Sequence, residues 1–216
     1  MSAVRVVRVD RAGFPFIVGA STLALVAGVV GAWWLAMPLV VVGVFFVFFF
    51  RDPDRRADVD INDDVVLSPA DGRVLVAGRA IAEAAPQGDW QQVSIFLSPM
   101  DVHVNRVPAS GRVTEVSFTP GRFLPANRPD AATANERSEI WIDHRGQAIV
   151  ARQIVGILAR RVVCRLESGA SVRAGDRLGI MKFGSRMDVF LPLSATLSVA
   201  VGQKVRGGET AIAVLH

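Results

Sequence analysis

Residues 12–50 form a run of 39 without one charged side chain, AGFPFIVGASTLALVAGVVGAWWLAMPLVVVGVFFVFFF. At about 1.5 Å of rise per helical residue, roughly 20 residues cross a hydrocarbon core about 30 Å thick, so the run suffices for one long span or two closely joined ones. Gly31, Pro38 and the Trp33-Trp34 pair favour an interruption in the middle. Arg5, Arg8 and Arg11 precede the run and Arg51, Arg55 and Arg56 follow it. Basic residues at both ends place both on the cytoplasmic side, which calls for a segment that enters and returns, as a helical hairpin or a shallow re-entrant wedge. A cleaved signal peptide has an apolar region of only about 7 to 15 residues. A buried soluble hairpin fits poorly, because residues 39–50 are apolar on every helical face.

The chain has 216 residues, 51% hydrophobic and 20% charged, which excludes a disordered protein. One cysteine excludes a disulfide scaffold and a cysteine-based zinc or iron-sulfur site, and the two internal histidines, His103 and His144, make a multi-histidine metal site a poor expectation, so no metal is expected. The net charge is +4, but from Arg51 onward 21 basic residues face 19 acidic ones and no block of like charges occurs. Nucleic acid is therefore not implied as a partner.

Beyond the charged linker RDPDRRADVDINDD, short apolar alternations separated by Gly, Pro and Asp read as strands and turns. The expected fold is a β-rich (mainly β, α+β) barrel- or sandwich-like catalytic body, residues 65–216, after an N-terminal hydrophobic helical hairpin, residues 1–50, and a linker, residues 51–64. Only residues 81–85 offer a turn of helix. The irregular stretch GRFLPANRPDAATANERSE, residues 121–139, is long enough to cover or bind something, or to be a surface insertion.

Several residues can carry chemistry. In DVHVNRVP, strand alternation puts His103 and Asn105 on one face. Asp71 in SPADGRV sits in a turn where Asp can also cap its own backbone. Ser185 in KFGSRMD follows Gly184, which leaves room around a hydroxyl nucleophile, although no G-x-S-x-G elbow is present. The segment IMKF places Lys182 where biotinyl and lipoyl carrier domains hold their modified lysine, so a membrane-tethered carrier is the alternative reading. A non-enzymatic β-rich membrane adaptor is a third.

Taken in order, SPADGRV, FLSPMDVHVNRVP, FLPAN, NER and FGSRMDVFLP, with FFRDP after the apolar N-terminus, resemble the short form of the phosphatidylserine decarboxylase family. The resemblance implies a proenzyme that cuts itself between Gly184 and Ser185 into a long chain, residues 1–184, and a short chain, residues 185–216. The Ser185 hydroxyl would attack the Gly184 carbonyl carbon and convert the peptide to an ester. Removal of the Ser185 α-proton and elimination would leave a dehydroalanine, which rearranges and is hydrolysed with loss of ammonia. The cofactor so formed is a covalent pyruvoyl group derived from Ser185. Its ketone would make a Schiff base with the serine head group of a phospholipid in the membrane and accept the electrons released with carbon dioxide, giving phosphatidylethanolamine in phospholipid biosynthesis.

By the same resemblance His103 is the acid or base, and Asp71 orients it or supports self-cleavage. Longer bacterial members carry a second His three residues after the first, where this chain has Arg106, whose guanidinium has no usable neutral form at pH 7. Arg106 suits the phosphodiester or carboxylate of the substrate instead, or a salt bridge. Asn105, Asn135, Glu136 and Arg137 join it as candidate substrate-binding residues, the last three on the long loop that closes over the site. A homo-oligomer is compatible with all of this. The implied location is the cell membrane, with the body on its cytoplasmic face.

Overall fold

An aspartate and a proline start the first helix: Asp10 accepts a hydrogen bond from the Ala12 amide at 2.9 Å, and Pro15 occupies the first turn, where its missing N–H is no loss. This is a computed structural model, and it describes residues 7–55, 57, 63–157, 162–182 and 185–216. The chain divides into two compact units, Met1–Asp54 and Arg55–His216.

In the first unit, β1 (Val7–Val9) leads through a 3-10 turn (Arg11–Gly13) into α1 (Phe14–Val29), and α2 (Trp33–Phe49) returns to β2 (Arg51–Pro53). Gly31 takes the left-handed φ of +77° that the reversal needs. The helices meet through small residues: Ala20, Ala24, Ala27, Ala36 and Gly43 are buried, and a methyl added to Gly43 would lie 3.8 Å from that of Ala20. β1 and β2 pair antiparallel, with Arg8 opposite Asp52, so the two ends of the uncharged run are held side by side. Residues 51–53, expected as linker, thus belong to the base of the hairpin.

The second unit is built of β-strands: β3 (Val65–Leu67), β4 (Gly72–Arg79), β5 (Gln91–Leu97), β6 (Val104–Arg106) and β7 (Gly111–Thr119) precede a four-residue helix, α3 (Ala131–Ala134). After it come β8 (Arg137–His144), β9 (Gln147–Ile154), β10 (Val162–Cys164), β11 (Ser171–Val172), β12 (Arg177–Met181) and β13 (Ser185–Leu191). The chain ends with β14 (Thr196–Leu197), β15 (Lys204–Val205) and β16 (Ala211–Val214). An eight-stranded antiparallel sheet has the order β11-β7-β8-β9-β13-β5-β4-β15 and curls as a half-barrel. Two three-stranded sheets, β10-β12-β6 and β14-β16-β3, complete the body.

Alternation divides the large sheet into two faces. Val93, Ile95 and Leu97 of β5, Met187, Val189 and Leu191 of β13, and Ile140 and Ile142 of β8 share one core with Leu178 and Met181 of β12 and Ile212 of β16. Each such side chain fully removed from water stabilises the fold by about 1.5–3 kcal/mol. On the other face lie Gln92, Ser94, Arg152, Arg186 and Asp188, all buried.

Candidate active site

Ser185 opens β13, the strand that lies between β5 and β9 near the middle of the large sheet. It pairs with Leu97 on β5, and on its other side the neighbouring residue Arg186 pairs with Ile154, the last residue of β9, so that Val155 follows just beyond the ladder. Alternation points its side chain to the core face with Met187. The residue has no exposed surface, and among the described residues its hydroxyl has no hydrogen-bond partner. A buried hydroxyl left unpaired costs about 1–3 kcal/mol, so it asks for a reason, and a reacting group is one. Gly184, the other half of the expected cleavage site, lies outside the described residues.

The strand opposite Ser185 leads directly to His103. After Leu97 a tight turn is closed by Asp101, whose carboxylate accepts the Ser98 amide at 2.8 Å and whose own amide donates to the Ser98 carbonyl at 2.9 Å. His103 is fully buried, and its Nδ1 lies 2.9 Å from the Asp101 carbonyl oxygen. A carbonyl only accepts, so Nδ1 carries the hydrogen and Nε2 is the proton-accepting nitrogen of the neutral ring. The Met181 amide donates to the His103 carbonyl at 3.3 Å, and four residue steps, at most about 14 Å of extended chain, join Met181 to Ser185. The motifs around His103 and Ser185, far apart in sequence, are thereby tethered to one end of the body.

Asn105, two residues on, lies on β6 and is fully buried. Its Oδ1 accepts from Nε2 of Gln153 on β9 at 2.8 Å. The remaining atoms of this amide pair, Asn105 Nδ2 and Gln153 Oε1, are buried without partners, as Ser185 Oγ is. Gln153 stands opposite Met187 and on the same face as Ser185. The sequence reading did not single it out, because a lone Gln in the strand QAIVARQI carries no motif.

Asp71 is engaged by two groups of the body. Its Oδ2 accepts from Arg55 Nη2 at 2.8 Å and its Oδ1 from the Gly207 amide at 2.8 Å, and among the described residues no hydrogen bond joins it to His103. Gly207 can come this close because a methyl there would sit 3.0 Å from Ala70 Cα. Arg55 also reaches Glu209 at 3.1 Å, a carboxylate almost wholly buried. The Asp71 turn nevertheless borders β6, since the Arg106 amide donates to the Pro69 carbonyl at 2.8 Å. Arg106 itself is buried, and its Nη1 donates to the Gly175 carbonyl at 3.3 Å.

The three loop residues differ in kind. Asn135 is fully buried: its Nδ2 donates to the Leu124 and Val155 carbonyls, both at 2.8 Å, and its Oδ1 accepts the Leu124 amide at 2.9 Å. It ties the loop to the residue just beyond β9 and has no amide proton left for a ligand. Arg137 donates to the Thr133 carbonyl and pairs with Glu139 at 3.5 Å. Glu136 is half-buried, and among the described residues its carboxylate has no hydrogen bond or ion pair.

Behind Ser185, on the opposite face of β13, Arg186 Nε donates to Asp188 at 2.6 Å and its Nη2 to Ser94 at 3.0 Å. Arg152 pairs with Glu139 at 2.7 Å and lies over the Phe190 ring at 4.8 Å. Burial pulls the Arg152 guanidinium below its ordinary value, against the opposing pull of Glu139 and Asp188. Lys182 is half-buried at the end of β12, unlike a carrier lysine, which must stand on an exposed tip. His144 is buried and its Nδ1 donates to the Ser110 carbonyl at 2.7 Å. Among the described residues no group of three or more His, Cys, Asp or Glu is placed to hold a metal ion.

The family described as phosphatidylserine decarboxylase matches residues 42–213. A phosphatidylserine decarboxylase proenzyme of Nitrosomonas europaea is 38% identical over 209 residues, 96% of this chain and 95% of that one. A phosphatidylserine decarboxylase proenzyme of Rickettsia akari is 47% identical over 175 residues, 77% of this chain and 73% of that one. The chain belongs to the phosphatidylserine decarboxylase family. The matched region contains Asp71, His103, Asn105, Gln153 and Ser185, and most of the hairpin precedes it. Membership in this decarboxylase family displaces the carrier and adaptor readings.

Proposed function

We propose that the chain is a self-processing, membrane-bound decarboxylase that converts phosphatidylserine to phosphatidylethanolamine, with the break between Gly184 and Ser185. One observation carries the reading: Ser185 is enclosed, first in a central strand, and its hydroxyl has no partner among the described residues. Oγ attacks the Gly184 carbonyl carbon, the C–O bond forms and the C–N bond then breaks, and the hydroxyl proton passes by way of a base to the departing Ser185 nitrogen. His103, whose Nδ1 hydrogen is directed to the Asp101 carbonyl, supplies Nε2 as that base. Asn105 Nδ2, buried and without an acceptor, is available to the oxygen that becomes negative as the ester forms.

A pyruvoyl group at position 185 fits the site, because a carbonyl oxygen there would displace no existing hydrogen bond. Bound to the substrate amine, such a group supplies the electron sink that decarboxylation requires. The chain's own residues then exclude water, hold the head group and return a proton to the substrate α-carbon, for which His103 is the candidate acid. Asp71, fixed by Arg55 and Gly207, is the candidate to orient the imidazole or to support self-cleavage.

The uncharged hairpin supports a location at the cytoplasmic face of a membrane, where a two-chain lipid keeps its head group. Both ends of the run are held together, with Arg8, Arg11 and Arg51 at the base. Intact mass under denaturing conditions tests the proposal. The expected result is two chains, residues 1–184 and 185–216, the smaller blocked at its N-terminus, while Ser185→Ala gives one uncut chain and releases no carbon dioxide from phosphatidylserine. A cleaved, active Ser185→Ala protein overturns it.

A further inference from the structure

The hairpin has a length and a tip that bear on how deep it goes. From Arg11 to Val29 the chain rises by a three-residue 3-10 turn, about 6 Å at about 2 Å per residue, and a 16-residue helix, about 24 Å at about 1.5 Å per residue. The sum, about 30 Å, equals the hydrocarbon thickness of a typical bilayer. The returning leg, the 17 residues Trp33–Phe49, covers about 25 Å. Neither leg is amphipathic, since Val18, Leu25, Val29, Val41 and Val44 are exposed on several sides.

At the tip, Trp33 and Trp34 are 65% and 79% exposed, and among the described residues neither indole N–H has a partner. Within the turn the Val26, Ala27 and Gly28 carbonyls are taken by the Val30, Ala32 and Gly31 amides, but no side chain caps the first amides of α2. In mid-bilayer each unmet backbone group costs several kcal/mol, whereas the interface supplies water and head groups and is where Trp gathers. A wedge confined to the near leaflet would leave these groups near the midplane.

We propose that the hairpin reaches through the hydrocarbon core, with Trp33 and Trp34 in the head-group region of the far leaflet and both ends of the hairpin at the near face. The proposal rests on the membrane reading above and adds the depth.

The test uses the full chain with Cys164→Ser and one new cysteine, made in the cytoplasm of a bacterial host and probed in intact spheroplasts with a membrane-impermeant maleimide. Val30→Cys at the tip should be labelled from outside to the extent reached after detergent. Gln87→Cys on an exposed loop of the body should be labelled only after lysis. Ala32→Cys repeats the reading if Val30→Cys disturbs folding, which self-cleavage on the same denaturing gel reports. A tip cysteine that stays protected until detergent is added, in a chain that sediments with membranes, overturns the proposal. A chain found in the soluble fraction overturns it together with the membrane reading, while intact self-cleavage in that fraction would leave the enzyme reading standing.

Discussion

Along residues 12–50 the hairpin exposes most of its large apolar side chains and buries no polar one, whereas the body buries its apolar side chains and encloses Arg152, Arg186, Asp188, Gln153, Asn105, His103 and Ser185 as well. The two regions follow different rules. Apart from Phe49 and Phe50 at its base, the hairpin buries the small residues that let its helices touch and leaves most of its large apolar side chains outside, a pattern that would suit hydrocarbon. The body places polar groups inside in two ways. Arg186 is paired with Asp188 Oδ1, while among the described residues Asp188 Oδ2 and, separately, Ser185 Oγ, Asn105 Nδ2 and Gln153 Oε1 have no partner. Paired groups serve the fold, and the unmet ones near a candidate nucleophile are where a reaction would find donors and acceptors already stripped of water.

Substitutions can press on each half of this contrast. His103→Ala should have the largest effect, slowing chemistry by on the order of 10²–10⁴-fold, read as the cut fraction over time and as carbon dioxide release; a normal rate would remove His103 from the mechanism. Asp188→Ala, made on the uncut Ser185→Ala chain, leaves the Arg186 guanidinium buried without its carboxylate and should lower stability by about 3–5 kcal/mol in chemical denaturation. A neutral result would mean that the pair is not needed to hold β13.

Lysine substitution compares the regions directly. Val41→Lys in the hairpin should weaken membrane retention by about 2.5–3.5 kcal/mol, while Val201→Lys, in the body and equally exposed, should leave sedimentation unchanged. Equal behaviour of the two would erase the distinction. Gln153→Leu removes the one partner of Asn105 Oδ1 and should destabilise by about 1–3 kcal/mol and slow self-cleavage, with the cut fraction as the readout. The smallest effect concerns Cys164, whose thiol burial pushes above its ordinary value. At pH 8 the folded protein should hold less thiolate than the unfolded one and react more slowly with iodoacetamide, the gap narrowing as pH rises; equal rates would contradict the burial.

The sequence disclosed what depends on neighbours in the chain. The uncharged run, the strand alternations in QQVSIFL and VARQI, and the order of the motifs around Asp71, His103 and Ser185 are all local patterns. Contacts that join distant segments could not be read that way. Arg55 looked like one more charge in a linker, yet it bridges Asp71 and Glu209, the latter 154 positions away. Gln153 shows its character only beside Asn105, 48 positions earlier. Asn135 sat within a recognisable motif, but its polar atoms close the loop onto Leu124 and Val155, a use that motif resemblance does not distinguish from contact with a lipid.

The position of Ser185 at the head of β13 has a thermodynamic consequence. A break before it would make residues 185–216 a separate molecule that supplies a strand between β5 and β9, the edge strand β15 beside β4, and β16 beside β3 with β14 on its outer side. The precursor can regain its fold as a first-order event. The cut protein, once unfolded, must bring two chains together, so its apparent stability falls on dilution, and its renaturation becomes a second-order process. Maturation would thus be a one-way passage, and heat-damaged enzyme would have to be replaced by fresh synthesis.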